Sequence, residues 1–239
     1  MTIDGPVAAG GSHVGPLLQI TSTIPIVFVQ VTDPVGGGFV NSLSKPGRNA
    51  TGFTVFDFDI GGKWLELLKQ VAPSVTRVAV LRDPANPSGA GLFGAIQALA
   101  PSQRVEVVPI NLRDADDLTR NVAEFASKSN GGLIVLPNSL AIVQRNLIVT
   151  LAAKHRLPAV YPFRYFVTDG GLIYYGLDPV EQYRLAAGYI DRVLKGESPA
   201  SLPVQAPTKY EMVINNKAAK SLGLTIPSSL ATAADEVIE

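Results

Sequence analysis

The chain contains no cysteine. That excludes disulfides, thiolate metal sites and a cysteine nucleophile. Histidine is almost as scarce: His13 and His155 are the only two, and no H-x-x-x-H pair exists, so the common zinc-ligand spacing is missing. No Gly-x-Ser-x-Gly elbow is present, and nothing positions a Ser-His-Asp triad. Surplus charge is absent, with 20 basic against 20 acidic side chains. Without a basic cluster the phosphate attraction behind nucleic-acid binding is lacking. Long apolar runs are absent too. Residues 24–31 (IPIVFVQV) fall well short of the roughly 20 residues that a membrane-spanning helix needs. The first 15 residues show neither the basic start nor the apolar stretch of a signal peptide. The expectation is a chain without metal, cofactor, nucleic-acid partner or export signal, and not an enzyme.

Apolar residues make up 46% of the chain, enough for a sizeable core. Short β-branched runs stand at residues 24–31, 78–81, 105–110, 133–136, 159–161 and 172–175. Runs apolar on both faces suit strands of a parallel sheet. Helical spacing recurs between them. Trp64, Leu65, Leu68 and Val71 form one stripe before Pro73, and Leu92, Ile96 and Leu99 another before Pro101. Asp114, Asp116 and Asp117 open a third helix with charges that suit its dipole. Residues 139–155 read as a single helix. Asp178 and Pro179 open the next, with proline at its first position.

Repeated β-α-β order predicts an α/β fold with doubly wound parallel sheets. Residues 76–177 suffice for one complete lobe. Residues 1–75 and 178–208 are expected to share an incomplete second lobe, with the first inserted between them. Residues 209–239 read as a hinge-crossing strand followed by a C-terminal segment.

Four stretches carry a family resemblance: IPIVFVQVTDPVGGGFVNSLSKPGRNATGFT, LLKQVAPSVTRVAVLRDPANP, LAAKHRLPAVYPFRYFVTDGGLIYYG and PTKYEMVINNKAAKSLGLTIPSSLATAADEVIE. They are ordered, long, and spread from about Ala8 to the C-terminus. The chain resembles the ABC transporter substrate-binding proteins related to the tryptophan/tyrosine-binding type. The resemblance implies the type I periplasmic-binding-protein fold and capture of a small solute, such as an amino acid, in an inter-lobe cleft. It also implies a periplasmic or extracytoplasmic location, with ABC permease and ATPase subunits as partners. It further implies an N-terminally truncated start, because Met1 stands almost on a segment that relatives reach after their opening strands and helices. A sheet edge exposed in this way invites self-association through the incomplete lobe.

Candidate contacts cluster where strands end. Ser12 follows Gly10 and Gly11 at the start of a helix, where N–H groups and a hydroxyl meet an anion or where serine caps the helix. Asp33 follows the first apolar run and either accepts from a ligand ammonium or forms its own turn. The glycines after it lack dinucleotide-binding spacing. Asn86 lies in the proline-rich loop after the run at 78–81, with Ser88 as a cap, and its amide both donates and accepts. Asn138 ends the run at 133–136, with Ser139 as the helix cap. Tyr161 and Tyr175 end two further runs, where aromatic faces stack a flat ligand or pack in the core. Two other readings of the same fold remain. A ligand-sensing regulatory domain normally follows a helix-turn-helix, which this chain lacks. A two-lobed α/β isomerase needs paired acid and base groups, and the cysteine pair often used is absent.

Overall fold

The computed structural model describes every residue except 1–6, 56–57, 85–86, 178 and 208, and describes residues 7, 9, 12, 87, 88 and 179 by backbone alone. The chain runs β1 (Val7–Ala9), α1 (Gly11–Ile20), β2 (Ile26–Val31), β3 (Ala50–Thr54), α2 (Ile60–Val71), β4 (Arg77–Arg82), α3 (Pro87–Leu99), β5 (Glu106–Asn111), α4 (Ala115–Ala126) and β6 (Gly131–Val135). It continues through α5 (Ser139–Val143), α6 (Arg145–Lys154), β7 (Ala159–Tyr161), α7 (Arg164–Thr168), β8 (Ile173–Gly176), α8 (Pro179–Leu194), β9 (Glu211–Asn215), α9 (Asn216–Ser221), α10 (Ser228–Ala233) and β10 (Glu236–Ile238). Two compact units result. The first joins Met1–Asp57 to Leu177–Lys209, and the second joins Phe58–Gly176 to Tyr210–Glu239.

In the first unit three parallel strands lie in the order β1-β2-β3. Successive side chains of a strand face opposite ways, and β2 serves two cores accordingly. Ile26, Phe28 and Val31 pack with Val14 of α1. Val27 and Val29 pack with Ala186, Tyr189 and Val193 of α8, residues at the three- and four-residue spacing of one helix face. Residues 202–205 run along β3. The Thr51 hydroxyl donates to the Leu202 carbonyl (2.6 Å), and the Gln205 N–H donates to the Gly52 carbonyl (2.9 Å). The extended stretch after α8 thus borders this sheet.

At Gly52 the backbone of β3 lies close against that of β2. Its φ is +154°, and a Cβ there would stand 1.9 Å from the Phe28 carbonyl oxygen. Any side chain must push the strands apart. Gly52→Ala should cost about 3 kcal/mol, the upper end for overpacking a tight core. Loss of hydrogen-exchange protection in β2 and β3 would report it, and a variant as stable as the parent would refute the close approach.

The second unit holds a seven-stranded sheet in the order β10-β9-β8-β7-β6-β4-β5. All neighbouring pairs are parallel except β8 with β9. Strands β4, β6 and β7 are buried along their length, as continuously apolar runs require. β5 is different: it lies at the sheet edge and is partly open to solvent, with only Ile110 fully buried. Its Pro109 has no N–H to give to a further strand, which suits an edge. One face of the sheet packs on α4, α6 and α7 through Leu118, Phe125, Ile148 and Phe166.

The structure draws the lobe boundaries differently from the reading of the sequence. Helix α2, expected with the first lobe, lies in the second unit. Seven of its residues are buried, and its Trp64 indole N–H donates to the Tyr175 carbonyl (2.7 Å). A Cβ on Gly61 would stand 2.5 Å from the Leu92 carbonyl oxygen, so α2 and α3 nearly touch backbones. Residues 210–239 add β9 and β10 to the same sheet instead of forming a separate segment. Arg164 of α7 fastens them, pairing with Glu211 (2.5 Å) and with Glu236. The Glu236 hydrogen bond is the largest cause holding the guanidinium pKa above its usual value. The single helix expected over residues 139–155 is two helices, broken at Gln144.

Candidate functional site

In an open α/β sheet, ligands bind outside the C-terminal ends of strands where the winding direction reverses. That reversal in the second unit lies between β4 and β6, because β4 leads to β5 on one side and β6 stands on the other. The loops after β4 and β6 carry Asn86 and Asn138, two of the six residues picked from the sequence. Asn86 lies outside the described residues, as does the side chain of Ser88.

Asn138 caps α5. Its Oδ1 accepts the Ala141 N–H (2.7 Å) and its Nδ2 donates to the Leu136 carbonyl (2.9 Å). The cap is therefore Asn138 and not Ser139, which is the first helical residue. These bonds hold the amide 7% exposed. A side-chain amide has two lone pairs and two hydrogens, so one of each is left after capping.

Tyr161 lies in the core instead of at an open strand end. It is 1% exposed and its ring stacks on Phe166 at 5.0 Å. A Cβ on Gly171 would come within 2.5 Å of that ring. Burial pushes its phenol well above the usual tyrosine range. Tyr174 faces the same core, and Tyr175, next along the strand, faces away from it. The Tyr175 ring is half-buried and stacks on Tyr210 at 5.5 Å. Tyr210 is not among the six residues picked from the sequence. Its place just before β9, expected as a strand, was the signal available.

In the first unit, Gly10 is the residue before α1 and Ser12 the second residue within it. Ser12 is thus not the N-cap, and its side chain lies outside the described residues. Asp33 acts as a turn former. Its Oδ1 accepts the Gly36 N–H (2.7 Å), and its carbonyl accepts the Gly37 N–H (3.0 Å). Phe39 draws this turn toward the start of α1. Notional Cβ atoms on Gly11 and Gly37 would stand 3.5 and 3.0 Å from the same ring carbon. Asp33 and the Gly10–Ser12 turn are therefore neighbours within the unit, though 20 residues separate them.

The strand that delivers Asp33 is distorted. Its register against β3 shifts between Phe28 and Val31, and Gln30 adopts φ +57°. Left-handed backbone at a non-glycine residue carries strain and often marks a functional segment. Gln182 of α8 steadies it, accepting from the Gln30 N–H (3.2 Å) and donating to the Thr54 carbonyl (2.6 Å). Neither glutamine was singled out from sequence, since side-chain identity does not announce a bulge.

Among the described residues no group of three His, Asp or Glu side chains could hold a metal ion, and no helix is long and apolar enough to cross a membrane.

Residues 5–238 match the family described as ABC transporter substrate binding protein. A tyrosine-binding protein from Clostridioides difficile is 27% identical over 205 residues, 85% of this chain and 58% of that one. The chain therefore spans little more than half the length of this curated relative. A Streptococcus pneumonia ABC domain solved in complex with L-Trp superposes with a TM-score of 0.91 at 26% identity, covering 98% of this chain and 79% of that one. A conserved domain protein from Vibrio cholerae gives a TM-score of 0.89 at 27% identity, covering 97% and 77%.

Proposed function

Because the chain belongs to the ABC transporter substrate-binding protein family, we propose that it is the solute receptor of an ABC importer. The family match across residues 5–238 carries this reading. It acts outside the cytoplasmic membrane, handing its solute to permease and ATPase subunits, and performs no catalysis. The solute is a small amino acid-like molecule, with aromatic amino acids first, since the relatives include a tyrosine-binding protein and an L-Trp complex. Each unit by itself offers strand-end turns to a solute: the start of α1 with Ser12 and the Asp33 turn in the first, and the switch-point loops with Asn86 and Asn138 in the second. Asp33 and Asn138 serve mainly by fixing those turns, so that backbone groups and the remaining amide positions meet the solute without reorganisation.

A thermal-shift screen with amino acids, nucleosides and small carboxylates tests the reading. A ligand at 100 times its Kd adds about 2.7 kcal/mol, which for a chain of this size raises Tm by about 5–10 °C. Aromatic amino acids should do so. The double variant Asn86→Ala/Asn138→Ser should fold, because serine also caps helices, yet lose most of the shift. If no ligand raises Tm, or if a tested ligand is converted to product, the receptor reading fails.

A further inference from the structure

The second unit carries a groove of about 250 Å³ that the strand-end turns do not use. Met212 and Leu230 form its buried floor, and Tyr175 and Tyr210 stand as an aromatic wall. Lys63 of α2 and Asp235, just before β10, line it as well. The groove falls below the roughly 300–1,000 Å³ of pockets for drug-sized ligands. That volume suits a single amino acid better than a nucleotide or a disaccharide.

The lining groups select the chemistry. Among the described residues one cation and one carboxylate border the same small space, so a molecule of a single charge sign gains one contact and suffers one repulsion. A phosphate would meet Asp235 and a polyamine would meet Lys63. A zwitterion satisfies both. Asp235 is already fixed in place, since its Oδ2 accepts the Met212 N–H (2.8 Å) and its own N–H donates to the Met212 carbonyl (2.9 Å). A carboxylate offers about four acceptor positions, so this one retains capacity for a ligand ammonium. Lys63 pairs with Glu66 of its own helix at 3.4 Å, both side chains being about 40% exposed. Such an exposed pair is weakly held, and its ammonium can turn to a ligand carboxylate with three hydrogens to give. Between the charges lie the apolar floor and the paired rings, suited to an apolar or aromatic side chain.

We propose that this groove is a second ligand site, binding a free α-amino acid with an apolar or aromatic side chain, its ammonium on Asp235 and its carboxylate on Lys63. The site lies wholly within the second unit and does not depend on the receptor reading.

The test is an amide NMR titration of the whole chain with L-phenylalanine, alongside phenethylamine and 3-phenylpropionate, which keep the ring and lose one charge each. The amides of Met212, Leu230 and Asp235 should shift saturably with L-phenylalanine. Each analogue should bind about tenfold more weakly, the worth of one charge-assisted hydrogen bond. Lys63→Gln and Asp235→Asn should each weaken L-phenylalanine by a similar factor. Asparagine at 235 keeps an acceptor for the Met212 N–H, and an unchanged ligand-free spectrum would confirm the fold of both variants. Groove amides that stay still while those near Asp33 and Asn138 shift would overturn the second site and leave the receptor reading standing. Groove amides that shift alone would support the site and count against that reading. Analogues that bind as tightly as L-phenylalanine would overturn the assignment of a zwitterion.

Discussion

Trp64→Ala should destabilise the second unit more than any other single truncation of α2. The indole is fully buried, and emptying a site of that size costs about 3–5 kcal/mol. Loss of its N–H also removes the donor to the Tyr175 carbonyl. An unsatisfied buried polar group adds about 1–3 kcal/mol. Trp64→Phe keeps most of the packing and loses the hydrogen bond, so it should fall between parent and alanine variant. Trp64 is the chain's only tryptophan, and urea unfolding must therefore be followed by circular dichroism and not by its fluorescence. Hydrogen exchange localises the effect. Protection should fall in β6, β7 and β8, on which α2 rests. Loss confined to β2 and β3 would mean that α2 belongs with the first unit, as its place in the sequence suggests. Equal stability of the phenylalanine and alanine variants would mean that packing of the indole contributes little.

That test bears on what the sequence could reveal. The stripe Trp64, Leu65, Leu68 and Val71 showed which face of α2 is buried, but a stripe does not say against what. Its partners are far along the chain: the Leu92 carbonyl of α3 is 31 positions from Gly61, and the Tyr175 carbonyl 111 from Trp64. Strands buried on both faces were legible because nothing polar interrupts them, as at β4, β6 and β7. β3 was not, because Gly52 and two threonines break its apolar run. β1 and β10 are no shorter than β7, but the small Ala8 and Ala9 and the charged Glu236 leave them without a run of strand-forming residues. The break between α5 and α6 falls at Gln144, which is neither glycine nor proline and so gives no local signal.

The candidate site was legible as a set of loops and less so as side chains. Strand ends could be located from where apolar runs stop, which placed Asp33 in the turn after β2 and Asn138 in the loop after β6; Asn86 lies outside the described residues. Which way a side chain points depends on strand register, and a shift of one residue reverses it. Tyr161 turned out to face the core, while Tyr175, one position beyond core-facing Tyr174, faces the groove. Tyr161 ends β7 and Tyr175 stands one residue before the end of β8, and residue type alone does not separate them. Lys63 and Asp235 are 172 positions apart along the chain, and they share a groove only because β9 and β10 extend the sheet beside α2.

Gln182→Leu should destabilise the first unit nearly as much as the tryptophan change does the second, although it removes no packing volume. Gln182 is 5% exposed and serves two backbone groups at once, the Gln30 N–H and the Thr54 carbonyl. Leucine strands both. At about 1–3 kcal/mol for each buried group left unsatisfied, the loss should be about 2–6 kcal/mol, visible as lost exchange protection at the ends of β2 and β3. Gln182→Glu separates the two bonds. An ionised glutamate still accepts from Gln30 but turns a carboxylate oxygen toward the Thr54 carbonyl, where a donor is required. Burial and that carbonyl both disfavour ionisation, so the folded-state pKa should rise above the ordinary value of about 4.3. The folded protein then holds a proton more tightly than the unfolded chain, and stability falls as pH rises through the shifted pKa. Gln182→Glu should therefore approach the parent near pH 4 and weaken toward pH 7, relative to the parent at each pH. A variant whose deficit is the same at both would show that the Thr54 bond is not what holds α8 to this strand end.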